Sequence, residues 1–170
     1  MRHAGSMALC IDKITGSRER NPMGNCLKVG ILGAGNIAGS MAEALNELQK
    51  EGKACAYAVA SRSQEKALEF ARKWNITRAY SSYEELASDP EVDLIHIATP
   101  HSLHYEQAKL CMEHGKNVLV EKAFTANARQ AEELFAMAEE KKVFITEAIW
   151  TRYMPSRTCG MSVILIRICA

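Results

Sequence analysis

Gly33, Gly35, Asn36, Ile37 and Ala38 belong to a G-x-G-x-x-A string. That spacing suits the cradling of a pyrophosphate. The first glycine allows a tight turn, the second lets backbone N–H groups approach phosphate oxygens, and the last small residue keeps a helix close to its strand. Farther on, Ser61, Arg62 and Ser63 follow an apolar run, with no carboxylate before Glu65. An Asp or Glu at such a place grips a ribose 2′-hydroxyl, whereas an arginine pairs with a 2′-phosphate and stacks on the adenine face. The residues therefore predict NADP(H) as cofactor in preference to NAD(H). Ser63 also suits the N-cap of the helix that follows, and the two roles are compatible. Three further polar or aromatic clusters stand after apolar runs: Thr99 to His104, Glu121-Lys122, and Glu147 to Tyr153. His101 and His104 could share a helix face, but no third ligand is placed beside them, and a metal site is not expected.

The elements that must carry these residues alternate strand and helix. Apolar runs at Leu27–Leu32, 55–60, Arg78–Tyr80, 93–98, 117–121 and 143–147 read as strands. Segments with apolar residues at helical spacing lie at Asn36–Lys50, 63–74, Tyr83–Ser88, 103–114 and 127–141. Gly115 is the expected stop of the fourth helix. Alternation of this kind, with continuous apolar strands, predicts a parallel α/β sheet covered on both faces, doubly wound by right-handed crossovers. In such a sheet ligands lie outside the carboxyl ends of the strands, so the polar clusters converge on one crevice.

Composition bounds the possibilities. The chain has 170 residues, 48% hydrophobic and 24% charged, which excludes a disordered, collagen-like or disulfide-framework class. No apolar run approaches the ~18 residues needed to span a bilayer. Between residues 23 and 156 there are 15 basic and 18 acidic side chains, so no basic stripe for nucleic acid is present. The six cysteines show no C-x-x-C pair, and Cys55 and Cys111 read as small core residues in a reducing cytoplasm. Residues 1–22 lack an apolar signal region and read as a disordered leader. Residues 23–156 read as one nucleotide-binding domain, and 157–170 as an aberrant or frame-shifted end.

The ordered motifs VGILGAGNIAGSMAEAL, VASRSQEKALEFA, SYEELASDPEVDLIHIATPHSLHYEQAKLC, GKNVLVEKAFTANARQAEEL and EAIWTRYMP resemble the glucose–fructose oxidoreductase/inositol dehydrogenase (Gfo/Idh/MocA) family. Within it they are most similar to the dihydrodiol dehydrogenase and xylose–NADP dehydrogenase branch. The resemblance implies a Rossmann fold and an NADP-dependent oxidoreductase that moves hydride between a secondary alcohol of a sugar or diol and nicotinamide. It implies that Gly33, Gly35, Asn36, Ile37 and Ala38 hold the pyrophosphate and that Ser61, Arg62 and Ser63 face the adenosine phosphate. Thr99, Pro100 and His104 would line the cleft near nicotinamide, and Trp150 and Arg152 would stand at its border. Glu121 and Lys122 match a Glu-Lys-Pro motif whose lysine is catalytic, and a lysine beside a cationic ring can serve in a proton relay.

Ala123 stands where the family has proline, and an alanine peptide favours trans, which would re-aim Lys122. The family also has a second α/β domain, with an aspartate and a histidine that complete the catalytic set and with the usual dimer contacts. The family-like pattern stops near Pro155-Ser156, and this second domain is expected to be absent. The competing expectations are a nucleotide-binding module without turnover, or a partner protein that uses an open sheet edge.

Overall fold

The computed structural model describes residues 26–149. The expectations for residues 1–22 and 157–170, and for Trp150, Arg152 and Tyr153, lie outside the described residues. The elements run β1 (Leu27–Leu32), α1 (Asn36–Lys50), β2 (Ala54–Ala60), α2 (Gln64–Trp74), β3 (Arg78–Tyr80) and α3 (Tyr83–Ser88). They continue with β4 (Leu94–Ile97), a 3-10 turn (His101–Leu103), α4 (His104–Glu113), β5 (Asn117–Val120), α5 (Ala128–Lys141) and β6 (Ile145–Glu147).

All neighbouring strands pair in parallel, in the order β3-β2-β1-β4-β5-β6. This is the strand order of the dinucleotide-binding doubly wound sheet, with its topological switch between β1 and β4. The apolar strands are buried on both faces because helices cover both. Val29, Ile31 and Leu94 join Met41, Leu45 and Phe70 in one core cluster. Leu32, Ile95 and Ile97 join Leu86, Met112 and Leu134 in the other. Alternate residues of one strand thus serve opposite cores, as the period of two requires.

Helix ends explain most differences from the sequence reading. Ser63 and Asn127 have extended backbones and accept hydrogen bonds from Lys66 N–H and Gln130 N–H, so they cap α2 and α5 without joining them. Gly115, at φ 71°, follows the end of α4 in the left-handed region that glycine tolerates. Val143 N–H bonds back to the Ala138 carbonyl at 3.0 Å and closes α5, so β6 begins two residues later than its apolar run suggests. Cys111 is buried as expected, whereas Cys55 is only half-buried at the start of β2.

Candidate functional site

At the carboxyl edge of the sheet, backbone hydrogen bonds continue past the strand ends and set the loops in place. Gly33 N–H donates to the Ala60 carbonyl at 2.9 Å and Ala98 N–H to the Leu32 carbonyl at 2.9 Å. Glu121 N–H reaches the Ile97 carbonyl at 3.0 Å, and Ala148 N–H the Val120 carbonyl at 2.7 Å. The loops after β1, β2, β4, β5 and β6 are therefore adjacent, and the polar clusters within the described residues meet at one edge.

The β1–α1 loop requires its glycines for two different reasons. Gly33 has φ +106°, and a Cβ there would stand 2.8 Å from the Ala98 carbonyl oxygen. Gly35 has an ordinary φ of −98°, and a Cβ there would meet nothing within 4 Å. Its small size thus leaves open space directly at the start of α1. That helix has no side-chain cap and no acidic residue in its first turn, while Ala38 is fully buried against the sheet. A helix N-terminus with uncapped N–H groups, its positive dipole end and no carboxylate suits a phosphate, so these residues fit a dinucleotide. Asn36 is exposed, and Ile37, half exposed at 50%, holds an apolar side chain beside this opening.

Beyond β2, Ser61 Oγ accepts from Ser63 N–H at 3.4 Å. Arg62 is exposed between them and makes no ion pair among the described residues. Beyond β4, Thr99 Oγ1 donates to Gln107 Oε1, and Pro100 leads into the 3-10 turn, a turn that the helical periodicity alone does not reveal. His101 is exposed on that turn. His104 is 1% exposed, with Nδ1 2.8 Å from the Ala123 carbonyl and Nε2 3.0 Å from the Thr99 carbonyl. It braces the β4 and β5 loops against each other.

The β5 loop carries the Glu121-Lys122 pair. The Lys122–Ala123 peptide bond is cis, which corrects the expectation of a trans bond at alanine. Hydrogen bonds grip the chain immediately beyond it: the Ala123 carbonyl is bonded by His104, and Phe124 N–H donates to Glu147 Oε1 at 3.0 Å. Lys122 itself is exposed and makes no ion pair among the described residues.

Glu121 stands beside His96, a residue that the sequence reading passed over as part of an apolar strand. His96 Nε2 is 3.1 Å from Glu121 Oε1. Burial alone would raise the Glu121 pKa. The His96 hydrogen bond and charge, the Lys122 N–H and the Lys122 ammonium outweigh it and hold the carboxyl below its usual range.

Comparison with known proteins agrees with this geometry. A profile described as an oxidoreductase family with an NAD-binding Rossmann fold matches residues 27–148. Trans-1,2-dihydrobenzene-1,2-diol dehydrogenase of Mus musculus is 44% identical over 130 residues, covering 76% of this chain and 39% of that protein. D-xylose 1-dehydrogenase (NADP(+)) of Hypocrea jecorina is 41% identical over 138 residues, covering 76% of this chain and 35% of that one. Among solved structures, a 3-ketoreductase from Actinomadura kijaniata in complex with NADP superposes with a TM-score of 0.71 at 30% identity, over 79% of this chain and 42% of that one. The chain thus spans about two fifths of the length of the curated relatives it matches. With its strand order, its glycine loop at the switch point and this match over most of its length, the chain belongs to the Gfo/Idh/MocA oxidoreductases, whose nucleotide-binding unit is a Rossmann fold.

Proposed function

We propose that the chain is the nucleotide-binding part of an NADP-dependent oxidoreductase of the sugar or diol dehydrogenase type. The observation that carries this reading is the uncapped start of α1, opened by Gly35 at the switch point of the sheet. In this proposal residues 23–156 act as one domain. The N–H groups around Gly33, Gly35, Asn36, Ile37 and Ala38 bind the pyrophosphate, and the Ala38 contact keeps them in line. Ser61, Arg62 and Ser63 bind the 2′-phosphate. The absence of a carboxylate before Glu65 supports NADP, as do the NADP(+) in the name of the xylose dehydrogenase relative and the NADP in the ketoreductase complex.

Bound nicotinamide supplies a hydride acceptor or donor. Thr99, Pro100 and His104 shape the adjoining wall, with His104 acting through the two carbonyls it bridges. Glu121 borders the same cleft. Lys122, exposed at the crevice, takes the substrate hydroxyl proton onto its Nζ in the neutral amine form as hydride departs, and as the ammonium returns it in the reverse direction. Trp150 and Arg152 complete the border in this reading. The substrate is a small sugar or diol, and the location is cytoplasmic. That location fits the finding that no helix among the described residues is long and apolar enough to cross a membrane.

For these 170 residues taken alone, binding of the nucleotide without turnover is the second reading. It is favoured by the small share of each dehydrogenase relative that the chain spans. Fluorescence titration with NADPH and NADH, followed by turnover assays with aldoses and trans-diols, separates the two. Arg62→Ala is expected to weaken NADPH roughly tenfold, the scale of one charge-assisted contact, and to leave NADH nearly unchanged. Equal losses for both nucleotides would refute the 2′-phosphate role.

A further inference from the structure

Strand β4 reads Leu94, Ile95, His96, Ile97, and all four residues are buried. His96 is the one that packing does not explain. It is 0% exposed, and its register neighbours are Ile31 on β1 and Leu119 on β5. A leucine of similar volume would suit that setting. The ring instead brings two nitrogens into the core, and only one is satisfied. Nε2 lies 3.1 Å from Glu121 Oε1, while Nδ1 is buried with no hydrogen-bond partner among the described residues. A carboxylate only accepts, so Nε2 carries the proton of this bond. Nδ1 is then left buried without a partner among the described residues, a recognised cost to folding. A polar residue held against that cost is explained by what it contacts. Among the described residues its side chain bonds one polar group, the carboxylate that directly precedes Lys122.

We infer that His96 is a positioning residue of the crevice: its Nε2–H anchors the Glu121 carboxylate, and the fold gives up stability at Nδ1 to keep that anchor. The anchor fixes one carboxylate oxygen against the sheet, so the negative charge next to Lys122 has one place. Without it the Glu121 side chain, 21% exposed, is free to rotate toward water. The consequence for nucleotide binding rests on the function proposed above, whereas the His96–Glu121 bond and its cost do not.

The test uses the full chain as wild type, His96→Leu, His96→Gln and Glu121→Ala. In wild type, nitrogen-15 histidine spectra should show a slowly exchanging Nε2–H signal that vanishes in His96→Leu. Its exchange should quicken by about an order of magnitude in Glu121→Ala, as expected when a bond that shields it is lost. A wild-type ring without that signal, or one indifferent to Glu121, would overturn the inference whatever the nucleotide result. Thermal unfolding should place His96→Leu level with wild type or about 3 °C above it. A clear fall would make His96 an ordinary core residue.

NADPH affinity should drop about fivefold in His96→Leu, the scale of one hydrogen bond. It should recover in His96→Gln, whose amide can offer N–H to the same carboxylate. Unchanged affinity in His96→Leu, beside a wild type that binds, would remove the positioning role. A wild type that does not bind NADPH would sink the proposed function, and the spectra and unfolding data would still decide the His96–Glu121 pair.

Discussion

At the amino end of the sheet, polar groups find partners. The buried Lys116 ammonium donates to the Asp89 and Val92 carbonyls at 2.6 and 2.9 Å. The Asp89 carboxylate accepts from Tyr80 Oη at 2.8 Å and Glu91 N–H at 2.9 Å. Burial would raise the Asp89 carboxyl, but these bonds, with Arg78 and Lys116 nearby, hold it below its ordinary range. Asp93 Oδ2 takes Lys28 N–H at 2.8 Å, and Asn117 bonds both the Asp93 carbonyl and Phe144 N–H.

At the carboxyl end, the start of α1 is uncapped, and among the described residues Arg62 and Lys122 stand exposed without ion pairs and the Nδ1 of His96 has no hydrogen-bond partner. Both ends belong to the same strands, so the contrast does not come from the fold class. The amino end spends its polar groups on the fold; the carboxyl end spends some, with Thr99, His104 and Glu147 bonded across the loops, and leaves the start of α1, Arg62 and Lys122 open to something outside it. The helix starts at this carboxyl edge differ among themselves: Ser63, Ser82 and Asn127 cap α2, α3 and α5, whereas α1 begins at a glycine without a side-chain cap.

Three substitutions can break or sharpen this contrast. The largest effect is expected from Gly33→Ala, which places a Cβ 2.8 Å from the Ala98 carbonyl at φ +106°. It should cost about 3 kcal/mol in urea unfolding and weaken nucleotide binding too, because this glycine serves both fold and site. A variant as stable as wild type would show that the loop is not held as described. Next comes Lys116→Met at the amino end. It should cost about 2 kcal/mol, since the Asp89 and Val92 carbonyls each lose a charged donor, with NADPH affinity unchanged. If affinity fell with stability, the two ends would be coupled and the contrast would fail.

The smallest effect on folding is expected from Gly35→Ala. Its Cβ would enter open space at an allowed φ, so stability should stay within about 0.5 kcal/mol. NADPH affinity should nonetheless fall by roughly tenfold, read by fluorescence titration, because the methyl group fills the approach to the N–H groups. An unaffected titration would move the phosphate site elsewhere.

Much of this was legible in the residues. The period of the apolar positions marks β1 and α1 to the residue, and the glycine string names the loop between them. Parallel pairing follows from the alternation of strand and helix, because each strand must be re-entered through a covering helix. Other features were not legible, for identifiable reasons. Asn127 fits a helical period yet acts as a cap, a distinction its φ and ψ make, whereas the capping of α2 by Ser63 was legible from its residue type. Pro100 opens a 3-10 turn that leaves His101 exposed and begins α4 at His104. The Ala123 peptide bond, expected trans, is cis. His96 sits in an apolar run where its partner cannot be guessed, since Glu121 lies 25 residues away in the chain.

Local patterns therefore determined the elements, the sheet type and the phosphate loop, because periodicity and glycine placement act within a few residues. Only the tertiary structure decided which polar groups meet. It bonded His104 to two loop carbonyls, set His96 under Glu121 and left α1 uncapped beside Arg62 and Lys122. Those contacts join residues far apart in sequence, and parallel strand pairing is what brings them to one edge.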